Sequence, residues 1–190
     1  MDASVGFTPL PVAEYRARCA RIRLALFDVD GVLTDGRLWL GNGGEELKAF
    51  HIRDGQGLVL LRRAGVAFGV VSGRPSAAVA ERMQDLGAAH VVLGCEDKRG
   101  AVADILAGSG IAADEAAFLG DDWPDIPALL GVGLAVAVAD AAPAILPCCH
   151  WRTRAAGGQG AVRELCEDLL AARGALRPLY HALLGSGAAP

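Results

Sequence analysis

Short apolar runs alternate with stretches of helical spacing along the chain. The apolar runs are bounded by glycine, proline or acidic residues and are too short for helices, so they predict buried β-strands. These strands are expected at 23–27, 66–71, 90–93, 116–119 and 133–138, with a brief sixth near 149–153. Apolar positions spaced by three and four residues predict helices between them. These helices are expected at 56–63, 76–86, 98–107, 125–130 and 161–172.

This order of elements predicts an α/β fold: a three-layer, doubly wound, mostly parallel sheet covered by helices on both faces. A glycine-rich turn at 41–44 between apolar segments predicts a β-hairpin at 37–50, inserted between the first strand and its helix. The 190 residues are expected to form one domain at 23–173 that contains this insert. An extension at 1–22 precedes the domain, and a mobile tail at 174–190 follows it.

Composition narrows the possible functions. The net charge of −4 offers no basic surface for nucleic acid. The longest apolar stretch contains Asp140 and Pro143, so no membrane span is expected, and the N-terminus lacks a secretory signal. The five cysteines are irregularly spaced and are expected to be small buried side chains in a reducing cytoplasm. We reject a zinc site near His150, because a second group of ligands is missing. The expected partners are small molecules and further copies of the chain.

The candidate chemistry begins at Asp28 and Asp30, directly after the first strand. In an extended segment these two side chains point to the same side. Two like charges that close repel each other unless a cation or a shared proton intervenes. The pair therefore indicates a hard-metal site, a nucleophile beside an acid/base, or both, while a simple turn remains the alternative.

Further polar residues follow the other predicted strands. Ser72 ends the second strand, Lys98 follows the third, and Asp121 and Asp122 follow the fourth. Each of them alone would be an ordinary turn or surface residue, but the carboxyl ends of parallel strands meet at one edge of a sheet. Together they could bind Mg²⁺ and a phosphate and let an aspartate attack phosphorus. The second aspartate would then move the proton.

These residues resemble the four motifs of the haloacid dehalogenase superfamily of aspartate-nucleophile phosphohydrolases. The similar segments are 27–35, 71–74, Lys98, and 120–122 with Asp125. The resemblance covers about 23–172 and implies a Rossmann-like fold of the haloacid dehalogenase type with Mg²⁺ as cofactor. It implies that Asp28 is the nucleophile and a metal ligand, and that Asp30 is the acid/base and binds metal through its carbonyl. It implies phosphoryl binding by Ser72 and Lys98, metal binding by Asp121, and supporting roles for Asp122 and Asp125.

The hairpin and the segment 155–164 also resemble a subfamily of short phosphatases without a large cap domain. These enzymes act on 3-deoxy sugar acid phosphates such as the eight-carbon octulosonate 8-phosphate, in lipopolysaccharide precursor synthesis. The resemblance implies a cytoplasmic homotetramer in which the hairpins meet and a neighbouring subunit covers each active site. It also implies a set of substrate-binding residues. Besides Asp30 and Lys98, these are His51, Ile52, Arg53, Asp54, Gly55, Arg74 and Arg82.

The chain departs from this subfamily at two positions. Val59 stands where an arginine that contacts substrate is expected, and Gln159 stands where the glycine-rich loop usually carries a basic residue. Both departures remove positive charge that could meet the substrate carboxylate. A nine-carbon 3-deoxy sugar acid phosphate is therefore an alternative substrate. A phosphoacceptor receiver domain and a non-catalytic assembly module are the alternatives to an enzyme.

Overall fold

The computed structural model describes residues 6–184, and their centre is a six-stranded, fully parallel sheet. The strands are β1 (Leu24–Phe27), β4 (Ala67–Ser72), β5 (His90–Leu93), β6 (Ala116–Gly120), β7 (Leu134–Ala137) and β8 (Trp151–Arg152). Their order across the sheet is β5-β4-β1-β6-β7-β8, so the chain adds strands on one side of β1 and then on the other. This confirms the predicted doubly wound α/β fold.

Helices cover both faces of the sheet, because successive strand residues point to opposite sides. The helices are α1 (Val12–Arg21), α2 (Ile52–Arg63), α3 (Ala77–Leu86), α4 (Lys98–Ser109), α5 (Ile126–Leu129), α6 (Ala161–Ala172) and α7 (Leu176–Leu184). Phe27 faces the core that includes α1, α2, α3 and α6, whereas Leu26 faces the core that includes α4 and α5. No helix among residues 6–184 is long and apolar enough to cross a membrane.

Two helices lie outside the predicted domain. Helix α1 falls within the extension, where Tyr15 stacks on Trp151 at a ring distance of 4.1 Å and donates a hydrogen bond to Asp168. Helix α7 occupies 176–184, where we expected a mobile tail, and Leu176 and Leu179 pack on the core. The rest of the predicted tail, 185–190, lies outside the described residues, as do residues 1–5 of the extension.

Helix α2 begins at Ile52, four residues before the predicted start at 56. Gly55 and Gly57 lower the helix propensity near this end of α2, but Gly57 lets the helix pack closely on its neighbour. A Cβ on Gly57 would lie 3.1–3.3 Å from Arg163 and Cys166 of α6. The segment 52–55 is therefore helical, and α2 packs closely on α6.

The predicted hairpin is present, but its strands are much shorter than expected. They are β2 (Trp39–Leu40) and β3 (Glu46–Leu47), paired antiparallel apart from the main sheet. The hairpin leaves Trp39 57%, Leu40 71% and Leu47 65% exposed. An isolated two-stranded hairpin is marginally stable in water, which explains the short pairing.

Candidate active site

The site lies at the carboxyl ends of the central strands. Strand β1 pairs with β4 on one side and β6 on the other, so residues after these strands meet at the switch point of the sheet. Asp28 follows β1, Ser72 ends β4, and Asp121 follows β6. Lys98 is the first residue of α4, a helix that Asp97 caps by accepting a hydrogen bond from the Gly100 amide. The structure thus brings together residues that are far apart in sequence.

Lys98 lies between two buried carboxylates. Its Nζ is 2.8 Å from Asp28 Oδ1 and 2.7 Å from Asp125 Oδ1, and the lysine side chain is 3% exposed. The other Asp125 oxygen accepts hydrogen bonds from the amides of Asp121 and Asp122. Both oxygens of Asp125 are therefore engaged. Asp125, for which a supporting role was predicted, thus holds Lys98, and Asp122 contributes its backbone amide from an exposed position.

Negative charge exceeds positive charge in this cluster. Carboxylate oxygens of Asp28, Asp121 and Asp125 lie within 4.8 Å of one another, and Asp121 Oδ1 is buried without a hydrogen-bond partner among residues 6–184. Burial raises the pKa of Asp28 to about 6, with the Asp125 charge adding to the effect and Lys98 opposing it. Burial and the charges of Asp125 and Asp28 raise the pKa of Asp121 to about 8. A hard cation would relieve both carboxylates, so the residues fit Mg²⁺.

The loop after Asp28 is shaped by glycine. Gly31 has a φ of +88°, and a Cβ there would lie 2.1 Å from Asp121 Oδ2. The glycine-rich segment lies on this loop: the Gly158 amide donates to the Val32 carbonyl at 2.9 Å. A Cβ on Gly157 would lie 1.7 Å from the Gly31 carbonyl oxygen. The glycines therefore let two loops pack backbone to backbone beside the carboxylates.

Asp30 contacts side chains of the hairpin and of the loop after β4. Lys48 forms an ion pair with Asp30 Oδ1 and lies 3.2 Å from Glu46 Oε1, and its side chain is only 1% exposed. Glu46 also forms an ion pair with Arg74, whose Nε is 3.6 Å from Asp30 Oδ2. Ser72 is buried, and its hydroxyl accepts a hydrogen bond from the Arg74 amide.

Sequence reasoning missed Glu46 and Lys48. Residues 46 and 48 stand two positions apart in the predicted hairpin at 37–50, so their side chains were expected to share a face, and this was the available signal. The chain also has only two lysines among its 18 basic residues, Lys48 and Lys98. Each of them is buried against an aspartate of the first motif.

The predicted substrate-binding residues lie in two separate places in the structure. Arg74 lies beside Asp30, whereas the segment 51–55 packs against the start of α6. Asp54 is 1% exposed, and its Oδ1 accepts a hydrogen bond from the Arg163 amide at 2.7 Å. It caps α6, a structural role rather than the open position expected of a substrate contact. Gly55 packs under Arg82, whose Nη2 would lie 2.5 Å from an added Cβ.

The remaining predicted positions lie near the surface. Ile52 is 82% exposed. His51, Arg53 and Gln159 line a cleft of about 260 Å³, together with the side chains of Arg154 and Arg163. Glu164 and Glu167 also line this cleft, where Arg154 pairs with Glu164 and Arg163 pairs with Glu167. Val59, the other departure from the subfamily, is half-buried and packs on the core.

Comparison with known proteins identifies relatives over most of the chain, although no family model matches it. The 3-deoxy-D-manno-octulosonate 8-phosphate phosphatase KdsC of Escherichia coli K12 is 44% identical over 164 residues, which are 86% of this chain and 87% of that protein. The Moraxella catarrhalis 3-deoxy-D-manno-octulosonate 8-phosphate phosphatase, solved with magnesium, phosphate and KDO, superposes with a TM-score of 0.89 at 33% identity. That match covers 91% of this chain and 99% of the other.

A third relative defines the wider group. It is a hydrolase from Legionella pneumophila whose structure is described as that of a putative haloacid dehalogenase superfamily (subfamily III A) protein. The two structures superpose with a TM-score of 0.86 at 42% identity, and the match covers 90% of this chain and 95% of the Legionella chain. These matches confirm the resemblance drawn from the four motifs. The chain belongs to the 3-deoxy-D-manno-octulosonate 8-phosphate phosphatase family of the haloacid dehalogenase superfamily.

Proposed function

We propose that this protein releases phosphate from 3-deoxy-D-manno-octulosonate 8-phosphate in a magnesium-dependent reaction, as a step in lipopolysaccharide precursor synthesis. The observation that carries the proposal is the position of Lys98 between Asp28 and Asp125, with Asp121 beside them. This cluster pairs a buried carboxylate nucleophile with a cation that can hold phosphate. The names of the relatives support the substrate.

Mg²⁺ would be held by the carboxylates of Asp28 and Asp121 and by the carbonyl of Asp30. When bound, it would reduce the repulsion between the attacking carboxylate and the phosphoryl oxygens. The buried Asp121 Oδ1, which has no hydrogen-bond partner in the described range 6–184, supports this ligand set. Asp125 stays outside the set because Lys98 and two amides occupy its oxygens.

The first step is transfer of the phosphoryl group to Asp28. A carboxylate oxygen of Asp28 attacks phosphorus, and the bond from phosphorus to the sugar oxygen breaks. Asp30 gives its proton to the departing sugar oxygen, which leaves as an alcohol. Lys98 and the Ser72 hydroxyl hold the phosphoryl oxygens during the transfer. The products of this step are the dephosphorylated sugar acid and an aspartyl phosphate.

The second step returns the enzyme to its starting state. Asp30, now a carboxylate, takes a proton from water while the water oxygen attacks phosphorus. The acyl phosphate bond to Asp28 breaks, so inorganic phosphate leaves and Asp28 is a carboxylate again. Each turnover thus consumes one water and restores the proton on Asp30.

Substrate recognition is assigned to basic side chains around the site. Arg74 is 48% exposed beside Asp30, so it can reach a bound sugar acid. Arg53 lines the cleft with Gln159, so it can supply positive charge near the position of the missing basic residue of the loop. We also assign His51, Ile52 and Arg82 to the surface that binds the substrate. Val59 packs on the core and is assigned no contact with substrate.

We also propose a homotetramer in the cytoplasm. The exposed apolar side chains of the hairpin give the tetramer an interface, since burial of apolar area drives association. All five cysteines are free thiols, and Cys19, Cys149 and Cys166 are buried. Free thiols of this kind are typical of a reducing compartment.

A substrate panel tests the proposal. Purified protein with Mg²⁺ is assayed for phosphate release from eight-carbon and nine-carbon 3-deoxy sugar acid phosphates and from simple hexose phosphates, with chelated metal as control. We expect the highest kcat/KM for 3-deoxy-D-manno-octulosonate 8-phosphate and no turnover without metal. A higher kcat/KM for the nine-carbon ester would make that ester the substrate in place of the eight-carbon one. Metal-independent or absent hydrolysis would contradict the function.

A further inference from the structure

Lys48 is the buried member of an ionic network that connects the hairpin to Asp30. Its side chain is 1% exposed and forms an ion pair with Asp30 Oδ1, while Glu46 lies 3.2 Å away. Glu46 continues the network to Arg74. A buried ammonium group is costly unless it is closely paired, so this position needs its acidic partners. The hairpin thereby reaches the residue assigned to proton transfer.

The two oxygens of Asp30 have different surroundings. Lys48 holds Oδ1, whereas Oδ2 is buried without a hydrogen-bond partner among residues 6–184. Arg74 Nε lies 3.6 Å from Oδ2, which is beyond a normal hydrogen bond. One oxygen is therefore held by an ion pair, whereas the other is free of hydrogen bonds within residues 6–184.

We propose that Lys48 is a positioning residue that holds Oδ1 of Asp30 and so presents Oδ2 to the sugar oxygen of the scissile bond. Oδ2 then gives its proton to that oxygen as the bond to phosphorus breaks, and takes one back from the attacking water. Glu46 holds Lys48 in place and connects it to Arg74. The proposal rests on the proposed function, because it assumes that Asp30 moves the proton.

A purely structural role for Lys48 makes a different prediction. If Lys48 only anchors the hairpin, its loss should slow every substrate to a similar degree. If Lys48 positions the acid, the rate decrease caused by its loss should depend on the leaving group. An alkyl oxygen needs a proton to depart, whereas p-nitrophenolate departs without one.

The experiment compares Lys48→Met, Lys48→Arg and Glu45→Gln by rapid quench with Mg²⁺. The substrates are p-nitrophenyl phosphate and the alkyl phosphate that the wild-type enzyme hydrolyses fastest in the panel. Glu45 is an exposed residue next to Glu46 in the hairpin and serves as the control position. Circular dichroism and thermal melting establish that each variant is folded.

For Lys48→Met, we expect the first step with the alkyl substrate to slow on the order of 100-fold. The p-nitrophenolate burst should stay within about threefold of wild type, followed by slow turnover because Asp30 also serves as base. Lys48→Arg should recover part of the alkyl rate, and Glu45→Gln should match wild type. Equal slowing of both first steps, or slowing of neither, would overturn the proposal.

If Lys48→Met does not fold, Glu46→Gln provides the same comparison. This substitution keeps the side-chain volume but weakens the ion pair with Lys48. We therefore expect the first step with the alkyl substrate to slow several-fold, rather than about 100-fold, with the same dependence on the leaving group. Failure of the octulosonate ester in the panel would count against the proposed function alone. The Lys48 comparison would still be decided with whichever alkyl phosphate is hydrolysed.

Discussion

Asp28 and Asp121 occupy positions where a carboxylate is unfavourable without a cation. Their pKa values of about 6 and about 8 both exceed the ordinary value of 3.8, with burial as the largest cause. The metal-free folded protein therefore binds protons more tightly than the unfolded chain does. At these two sites its stability is highest below about pH 4 and falls as the pH rises toward 8.

Stabilisation by Mg²⁺ should consequently depend on pH. Because Mg²⁺ competes with protons for the two carboxylates, we expect saturating metal to raise Tm more at about pH 8 than at about pH 6. Thermal melting at both pH values, with and without metal, measures this. Asp121→Asn is the control, since it should remove most of the difference. An equal rise at both pH values in the wild type would contradict the ligand assignment.

Asp54 illustrates a residue whose role depends on tertiary packing. Its oxygen caps α6, so Asp54→Ala should lower the free energy of unfolding by about 1–2 kcal/mol. Asp54→Asn retains an acceptor and should unfold close to wild type, because burial already raises the pKa of the carboxyl. Urea denaturation measures both variants. A wild-type stability for Asp54→Ala, with KM strongly raised, would favour substrate contact instead.

The motif residues were predictable because their spacing relative to the strands is local. Asp28, Ser72, Lys98 and Asp121 all lie at the expected edge of the sheet. Lys48 was not predictable in the same way, because its contact with Asp30 depends on how the hairpin folds over the nucleophile loop. Asp54 was assigned from family resemblance, which does not reveal its cap on a helix far along the chain.

At the scale of elements, glycines determine how closely neighbouring segments approach. The loop that carries Gly157 contacts the loop that carries Gly31 directly through backbone atoms. Helix α2 similarly approaches α6 at Gly57. Glycine lowers helix propensity, so sequence reasoning started α2 too late. The same property makes the glycine-rich segment a packing device beside the active site.

Gly157→Ala should therefore disturb the nucleophile loop. The new Cβ would lie 1.7 Å from the Gly31 carbonyl oxygen, so we expect the free energy of unfolding to fall by about 3 kcal/mol, with loss of most activity. Gly108→Ala is the matched control. Gly108 lies within α4 with no atom near its Cβ position, and alanine there should stabilise by about 0.5–1 kcal/mol. Similar stability changes in both variants would refute the packing role.

At the scale of the whole molecule, the sheet and its helices were predictable from alternating apolar patterns. The terminal helices were not, although α1 buries Tyr15 and Cys19 at helical spacing. Helix α7 precedes the glycine-containing segment 185–190, whose composition favoured a mobile tail. Packing of Leu176 and Leu179 on the core outweighs this signal.

The apolar side chains of the hairpin remain exposed in the single chain. If it forms the subunit interface, Leu40→Ser should shift the tetramer toward smaller species, since Leu40 is 71% exposed in the single chain. Leu130→Ser is the matched control, because Leu130 is 65% exposed but lies away from the hairpin. Light scattering after size exclusion measures the mass of both variants. An unchanged mass for Leu40→Ser, or a monomeric wild type, would contradict this interface.

The central claim is that Asp28 carries the phosphoryl group during turnover. The most direct measurement is acid quench of Asp30→Asn during reaction with its best substrate and Mg²⁺, followed by peptide mass spectrometry. We predict that the peptide containing Asp28 gains the mass of one phosphoryl group, because an amide in place of the Asp30 carboxylate cannot activate water, and that Asp28→Asn never gains it. Phosphoryl transfer to another residue, or phosphate release by Asp28→Asn at the wild-type rate, would contradict the account.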